Sequence, residues 1–292
     1  MNQILNRILY FLSLLPWSIL YTLSNFIFFL VYYIIRYRRK IVLTNIENSF
    51  PSKNKKEIKK IERDFYKQFC DNIVEILKLL SIKPKNLLKR VQFKNLEKFD
   101  ELYLNNKHVF AVLGHLGNWE WINSAICQSI KHQTLVIYRP LKNKQNDQLI
   151  YNLRTRFGSE AVAQNNFFRV LSEKKKNNTP TATGVLADQS PMRKDIHYWT
   201  HFLNQETPVF TGFEKIARKL DIAIVYLKLT KIKRGHYQIE IVPMFDNTAD
   251  LKDYEIAESF MRELEKNILT NPSLYLWTHK RWKHKKLINE AV

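Results

Sequence analysis

The chain has 292 residues, of which 45% are hydrophobic, enough for one large domain or two small ones with a sizeable core. Its 47 Lys and Arg against 27 Asp and Glu give a formal charge of +20, which predicts an anionic neighbour such as nucleic acid, anionic lipid or an acidic protein. The two cysteines, Cys70 and Cys127, lie far apart and lack ligand spacing, which argues against a disulfide framework or a structural zinc site.

The N-terminal region is the first long apolar segment. Residues 8–35 carry no charged side chain, and a stretch of about 20 apolar residues is enough to cross a bilayer. Four basic residues follow at once: Arg36, Arg38, Arg39 and Lys40. We therefore expect residues 1–40 to form a membrane anchor with a basic collar that holds the next domain on the cytoplasmic side. Either a single spanning helix or a hairpin broken at Pro16 fits this pattern, and a buried core helix is the competing interpretation.

The organisation after the anchor is readable from its apolar periodicity. Residues 41–100 are expected to be a helical lead-in, with a short helix over 41–50 and an amphipathic helix over 57–80. In residues 101–292, candidate strands alternate with candidate helices, which predicts an α/β fold with a mainly parallel sheet and helices on both faces. The strands are expected at 108–113, 134–138, 184–187, 222–229 and 237–242, and the helices at 119–131, 146–157, 167–175, 212–220 and 254–267.

A glycine-bracketed histidine is the strongest local signal. The chain has only six glycines, and two of them, Gly114 and Gly117, flank His115. An apolar stretch precedes them, and Asn118 is a good N-cap for the helix that follows. His115 is therefore predicted at the carboxyl end of a strand, where open α/β sheets bind ligands.

The spacing of His115 and Glu120 suggests a pair. Five residues apart on one helix they would lie about 140° out of phase, whereas a glycine turn between them lets the side chains meet. Glu120 in the first helical turn would stay ionised and orient the imidazole, leaving its other nitrogen free to take a proton. The alternative is an ordinary strand-to-helix connection with a hydrogen-bonded histidine.

Several motifs in order resemble a known family. The run His115-Leu116-Gly117-Asn118-Trp119-Glu120 is similar to the HxxxxE/D signature of the lysophospholipid acyltransferase superfamily. The other blocks resemble the late acyltransferases of lipid A biosynthesis: Tyr138-Arg139-Pro140-Leu141, Arg154 with Arg156-Phe157-Gly158, Asp188-Gln189-Ser190, Thr207-Pro208 leading into Gly212, and Tyr275-Leu276-Trp277-Thr278-His279-Lys280-Arg281. This chain departs from the usual pattern at Asn204, where a glycine is common, and at Lys280, where an arginine is common.

The resemblance implies an α/β fold like that of glycerol-3-phosphate acyltransferases and a membrane-bound O-acyltransferase of the inner membrane with its catalytic domain on the cytoplasmic face. A fatty acyl chain would pass from an acyl thioester, on acidic acyl carrier protein or coenzyme A, to a hydroxyl of an anionic lipid A precursor, with no cofactor and no metal.

The same resemblance assigns roles to individual residues. His115 and Glu120 would be the catalytic dyad, with His115 as general base. Arg139 would grip a phosphate of the acceptor through its guanidinium, with Arg154 a second candidate for that surface. Asp188 would either hold the acceptor or cap its turn.

Asn118 would also belong to the surface that binds the acceptor.

A lysophospholipid or aminolipid acceptor is the alternative within the superfamily. A basic membrane-associated protein that binds nucleic acid is the alternative from another class, although no helix-turn-helix, zinc or RNP signature appears.

Overall fold

A seven-stranded sheet forms the centre of the protein, whose computed structural model describes residues 2–138 and 144–284. The strand order is β1-β9-β8-β2-β5-β3-β4, and every neighbouring pair is parallel except β8 and β9. The strands are β1 (Val91–Lys94), β2 (Val109–Leu113), β3 (Gln133–Tyr138), β4 (Glu160–Ala163), β5 (Thr181–Leu186), β8 (Ala223–Lys233) and β9 (His236–Phe245). A separate antiparallel hairpin consists of β6 (Trp199–Phe202) and β7 (Gln205–Pro208). The expected mainly parallel α/β fold is confirmed.

Helices cover the sheet and connect its strands. The element bounds are α1 (Asn2–Leu14), α2 (Trp17–Phe29), α3 (Arg39–Ser49), α4 (Lys55–Lys78), α5 (Pro84–Leu88), α6 (Glu97–Leu104), α7 (Trp119–Ile126), α8 (Lys144–Thr155), α9 (Phe167–Lys176), α10 (Gly212–Leu220) and α11 (Glu255–Thr270). Local chemistry explains where α4 begins, because Asn54 and Glu57 form a reciprocal capping box at its first turn. The five residues of β2 are all buried, as expected for a central parallel strand.

Several elements differ from the expectations. Strands β1 and β4 and the β6–β7 hairpin were not predicted, because each is a four-residue element without a long apolar run. Strand β1 pairs with β9, so the sheet begins at Val91, within residues 41–100 that were expected to be a helical lead-in. Helix α7 ends at Ile126, short of the expected residue 131.

The N-terminal helices pack on the domain. The chain bends at Pro16, and the segment Trp17–Ile34 has a mean hydropathy of 1.5 and is long and apolar enough to cross a membrane by length and composition. One side of α2 and of the π-helical turn Leu30–Ile34 after it lies along α4: Ser24 Oγ donates to Asp71 Oδ1 at 2.7 Å, and Tyr32 OH donates to Glu62 Oε2 at 3.2 Å. The other side exposes large apolar side chains, including Phe26.

Candidate active site

The loop after β2 holds His115 in a fixed position. A side chain at Gly114 would bring its Cβ within 2.5 Å of Leu264, and Gly117 has a φ of +50°, so both positions favour glycine. The C-terminal segment pins the loop, since Leu276 N donates to His115 O at 3.1 Å. His115 therefore lies at the carboxyl end of β2, as the sequence predicts.

Asp188 is the carboxylate that contacts His115. It follows β5, which pairs with β2 in parallel register, so the two residues meet at the same edge of the sheet. The Asp188 Oδ1 to His115 Nδ1 distance is 2.6 Å, and Oδ2 accepts from the His115 backbone N at 3.0 Å. With Nδ1–H donated to this carboxylate, Nε2 carries the free lone pair and lies 3.3 Å from the Gln189 amide. Asp188 thus holds the imidazole in the orientation a general base requires.

Opposing effects act on the pKa values of His115 and Asp188. Burial alone would lower the pKa of His115, but the Asp188 carboxylate and its hydrogen bond outweigh burial and raise it. Burial alone would raise the pKa of Asp188, but the charge and hydrogen bonds of His115, with a contribution from Arg281, lower it. Asp188 therefore stays ionised beside a histidine that binds a proton more readily than usual.

Glu120 has a different partner from the one expected. Its carboxylate binds the Arg154 guanidinium on α8, with Nη2 to Oε1 at 2.5 Å and Nε to Oε2 at 3.1 Å. Asp188 occupies Nδ1 of His115, and α7 directs Glu120 towards α8. Glu120 still adds negative charge near His115 and contributes to its raised pKa. The expected His115–Glu120 hydrogen bond is thus replaced by a His115–Asp188 bond.

Both ends of the Asn118 side chain support the loop. Its Oδ1 accepts from Trp121 N at 3.1 Å as the N-cap of α7, and its Nδ2 donates to Glu75 Oε2 at 3.0 Å. Glu75 is completely buried, and burial raises its pKa to about 7. Tyr21 of α2 also donates to Glu75, at 3.1 Å. The substrate-binding role expected for Asn118 stays a prediction.

The two candidate arginines have different outcomes. Arg154 is held by Glu120, so its guanidinium is committed to an ion pair beside the site rather than presented freely to a phosphate. Arg139 lies outside the described residues.

An apolar cavity runs from the histidine end of the sheet beneath α7. Its floor is three rows of side chains across neighbouring strands: Leu113 with Leu186, Ala111 with Gly184 and Val136, and Ala182 with Thr134. Trp119 lines the cavity and packs against His115, with ring centroids 4.9 Å apart. Gly184 is exposed although β5 is a central strand, and a Cβ there would meet nothing within 4 Å. Small floor residues therefore open a slot for an extended apolar group.

A buried arginine lies behind the site. Arg281 is 1% exposed, and none of its three side-chain nitrogens has a hydrogen-bond partner among the described residues. Its charge acts on both Asp188 and Tyr275. A single arginine within an aromatic run gives no local signal of an interaction with Asp188.

Residues 3–284 match the family of bacterial lipid A biosynthesis acyltransferases. The chain belongs to this family. It is 22% identical over 273 residues to the lipid A biosynthesis palmitoleoyltransferase of Escherichia coli (strain K12), with 92% of this chain and 86% of that protein covered. A lipid A biosynthesis acyltransferase of Haemophilus influenzae (strain ATCC 51907 / DSM 11121 / KW20 / Rd) is 22% identical over 238 residues, covering 80% of this chain and 72% of that protein.

Family membership shows that the chain is an acyltransferase of the lipid A biosynthesis type and confirms the resemblance carried by its motifs. In residues 2–138 and 144–284, no group of three or more His, Cys, Asp or Glu side chains is arranged to hold a metal ion.

Proposed function

We propose that the enzyme transfers a fatty acyl chain directly from an acyl thioester to a hydroxyl of a lipid A precursor, with His115 as general base. The contact that carries this proposal is the 2.6 Å pair of Asp188 and His115 at the mouth of an apolar cavity. A base, an orienting carboxylate and an apolar slot are the parts that acyl transfer to a lipid hydroxyl needs.

The chemistry follows from the orientation of the imidazole. His115 Nε2 takes the proton of the acceptor hydroxyl as its oxygen attacks the thioester carbonyl. Asp188 stabilises the resulting imidazolium, in the way that a buried aspartate serves the histidine of a serine protease. Collapse of the tetrahedral intermediate breaks the carbon–sulfur bond, and His115 returns the proton to the departing thiolate. The contact of Nε2 is the Gln189 amide rather than a hydroxyl or thiol, which favours direct transfer over an acyl-enzyme.

The acyl chain of the donor would occupy the cavity beneath α7. Its floor and roof are aliphatic or aromatic except at the Glu120–Arg154 pair, Asn123 and Thr134. The formal charge of +20 suits both an acidic carrier protein as donor and an anionic glycolipid as acceptor.

The anchor would lie in the cytoplasmic leaflet of the inner membrane rather than cross it. Helix α2 and the π-helical turn Leu30–Ile34 after it pack lengthwise on α4 through the Ser24–Asp71 and Tyr32–Glu62 hydrogen bonds. If α2 crossed the bilayer, these carboxylates on α4 would be drawn into hydrocarbon, where ionisable side chains are costly. An in-plane α2 keeps α4 in water and places the exposed apolar side chains of the anchor in the leaflet.

Substitutions at three residues test the mechanism. His115→Ala is expected to remove nearly all turnover, and Asp188→Asn to lower kcat by about 10²- to 10⁴-fold. Glu120→Gln is expected to cost less, because Glu120 does not contact the imidazole. Donor and acceptor kinetics would be measured for each, together with lipid A acylation in a deletion strain that carries each variant. Near-native turnover of His115→Ala, or a greater loss for Glu120→Gln than for Asp188→Asn, would contradict this assignment.

The pH dependence of kcat/KM distinguishes a role of Asp188 as an orienting charge from a role in packing alone. A general base works unprotonated, so activity is lost as the pH falls through the pKa of His115, which Asp188 raises. Asp188→Asn removes that negative charge and lowers the pKa. The acid limb of kcat/KM should therefore move to lower pH in Asp188→Asn, even though its maximum is smaller.

A further inference from the structure

A second, more open cavity lies between the start of α3 and the C-terminal segment. Its cationic wall consists of Lys40, Lys280 and Lys283, with His284 beside them, and we name this the basic groove. We propose that the basic groove binds a phosphate on the headgroup of the acceptor glycolipid. This inference rests on the proposed function and adds a site for the anionic end of the substrate.

The lysines of the groove are available for an anion. Elsewhere lysines such as Lys98 and Lys107 have carboxylates within 3 Å, but Lys40, Lys280 and Lys283 have no ion-pair partner in the described part of the chain. Three exposed ammonium groups around one concavity repel each other and attract a compact multivalent anion. Among the described residues that line the groove, Glu206 is the one carboxylate. A phosphate matches this surface because lysine binds it as a point charge.

The groove lies where a membrane lipid would arrive. Lys40 is the second residue of α3, directly after the anchor, and Trp282, an aromatic side chain of the type found at membrane interfaces, also lines the groove. The two walls are joined, since Asn45 Nδ2 donates to Trp277 O at 2.9 Å and to His279 O at 3.0 Å. The groove is thus a fixed part of the domain at the root of the anchor.

A short segment links the groove to the general base. The Gln189 amide lies 3.3 Å from His115 Nε2, and the Pro191 carbonyl lies 3.1 Å from His284 Nε2 in the groove wall. Residues 189 and 191 are separated by at most about 7 Å of extended chain. An acceptor headgroup can therefore place its phosphate in the groove while its hydroxyl approaches Nε2.

The shape favours a headgroup over a protein. A carrier protein needs a docking area of about 800 Å² per partner, which a wide surface provides better than a confined groove. The concave site next to the base fits one phosphorylated sugar headgroup best.

The test is a double substitution, Lys280→Gln with Lys283→Gln. With a phosphorylated acceptor, KM is expected to rise at least about tenfold, because hydrogen bonds to charged groups are the stronger ones. With the same acceptor after enzymatic dephosphorylation, KM should be nearly equal for the variant and the parent enzyme. The matched control is Lys215→Gln with Lys252→Gln, which removes two exposed lysines outside the groove and should leave both values unchanged.

Other outcomes overturn the proposal. Equal losses with both acceptors mean that the groove does not recognise phosphate. A rise confined to the donor KM means that the groove docks the carrier protein, and lost binding to phosphatidylglycerol vesicles with an unchanged acceptor KM means that it binds the bilayer. Binding of the phosphorylated acceptor to His115→Ala protein, with and without the double substitution, separates this proposal from the proposed function because that readout needs no turnover.

Discussion

Lengthening the side chain at Gly184 tests whether the cavity holds the acyl chain. Gly184 lies in the middle row of the cavity floor, between Ala111 and Val136 on the neighbouring strands. A Cβ there meets nothing within 4 Å and Gly184 lines the cavity, so the side chain of Gly184→Leu would project into the slot. Because glycine weakens a strand interior, the variant should fold at least as well as the parent protein.

The size of the effect follows from the carbons displaced. A leucine side chain brings four carbons into the slot and excludes about four methylenes of the acyl chain. At ~0.8 kcal/mol per buried CH₂ this is ~3 kcal/mol, or roughly a 10²-fold fall in kcat/KM for the preferred donor. Gly184→Ala adds one carbon and should cost only about fourfold on the same scale.

The assay compares donors of increasing chain length with each variant. The optimum should move to shorter chains in Gly184→Leu, and the acceptor KM should not change. The melting temperature of each variant provides the folding control. An unchanged length profile in a folded Gly184→Leu enzyme would refute the placement of the acyl chain beneath α7.

Two further predictions concern the support of the site and the anchor. Asn118→Ala removes the N-cap of α7 and a donor to the buried Glu75. The free energy of unfolding, measured by denaturant titration, should therefore fall by about 2–4 kcal/mol. A variant that changed only the acceptor KM would instead support a substrate-binding role. The anchor is tested with Arg7→Cys and Lys55→Cys, each in a chain whose native cysteines are replaced. Both cysteines should react with a membrane-impermeant maleimide from the cytoplasmic side. Labelling from opposite sides would show that the anchor spans the bilayer.

The long periodic elements and the central strands could be predicted from the sequence, and the short edge elements could not. Strand β2 has five consecutive buried residues, and α4 has one apolar face along 24 residues, so local pattern is enough for both. Strand β4 has only four residues, and its pairing with β3 gives it a defined place. Such elements depend on tertiary contacts that local periodicity does not contain.

The candidate site likewise has a part that the sequence predicts and a part that depends on tertiary contacts. The position of His115 follows from nearby glycines and a following N-cap, which are local signals. Its partner Asp188 is 73 residues away in sequence and comes close only because β2 and β5 are neighbours in the sheet. Glu120 was expected to be that partner because it lies near His115 in the chain, but Arg154 of another helix binds it. The sequence predicts the strand that ends just before Asp188, but it does not predict the strand order that brings Asp188 to His115.

The hydrogen bonds that join Tyr21, Glu75 and Asn118 have a practical consequence for obtaining the enzyme. A version of the chain shortened to remove the anchor would lose a donor to a fully buried carboxylate that also holds the cap of α7. Asp71 would also lose its hydrogen bond from Ser24 of α2, although Arg234 would still bind it. We therefore expect the histidine loop of the shortened protein to be distorted, even where the protein is soluble. For the full chain, the detergent used in purification affects the geometry of the histidine loop, because it surrounds the helix that supports this loop.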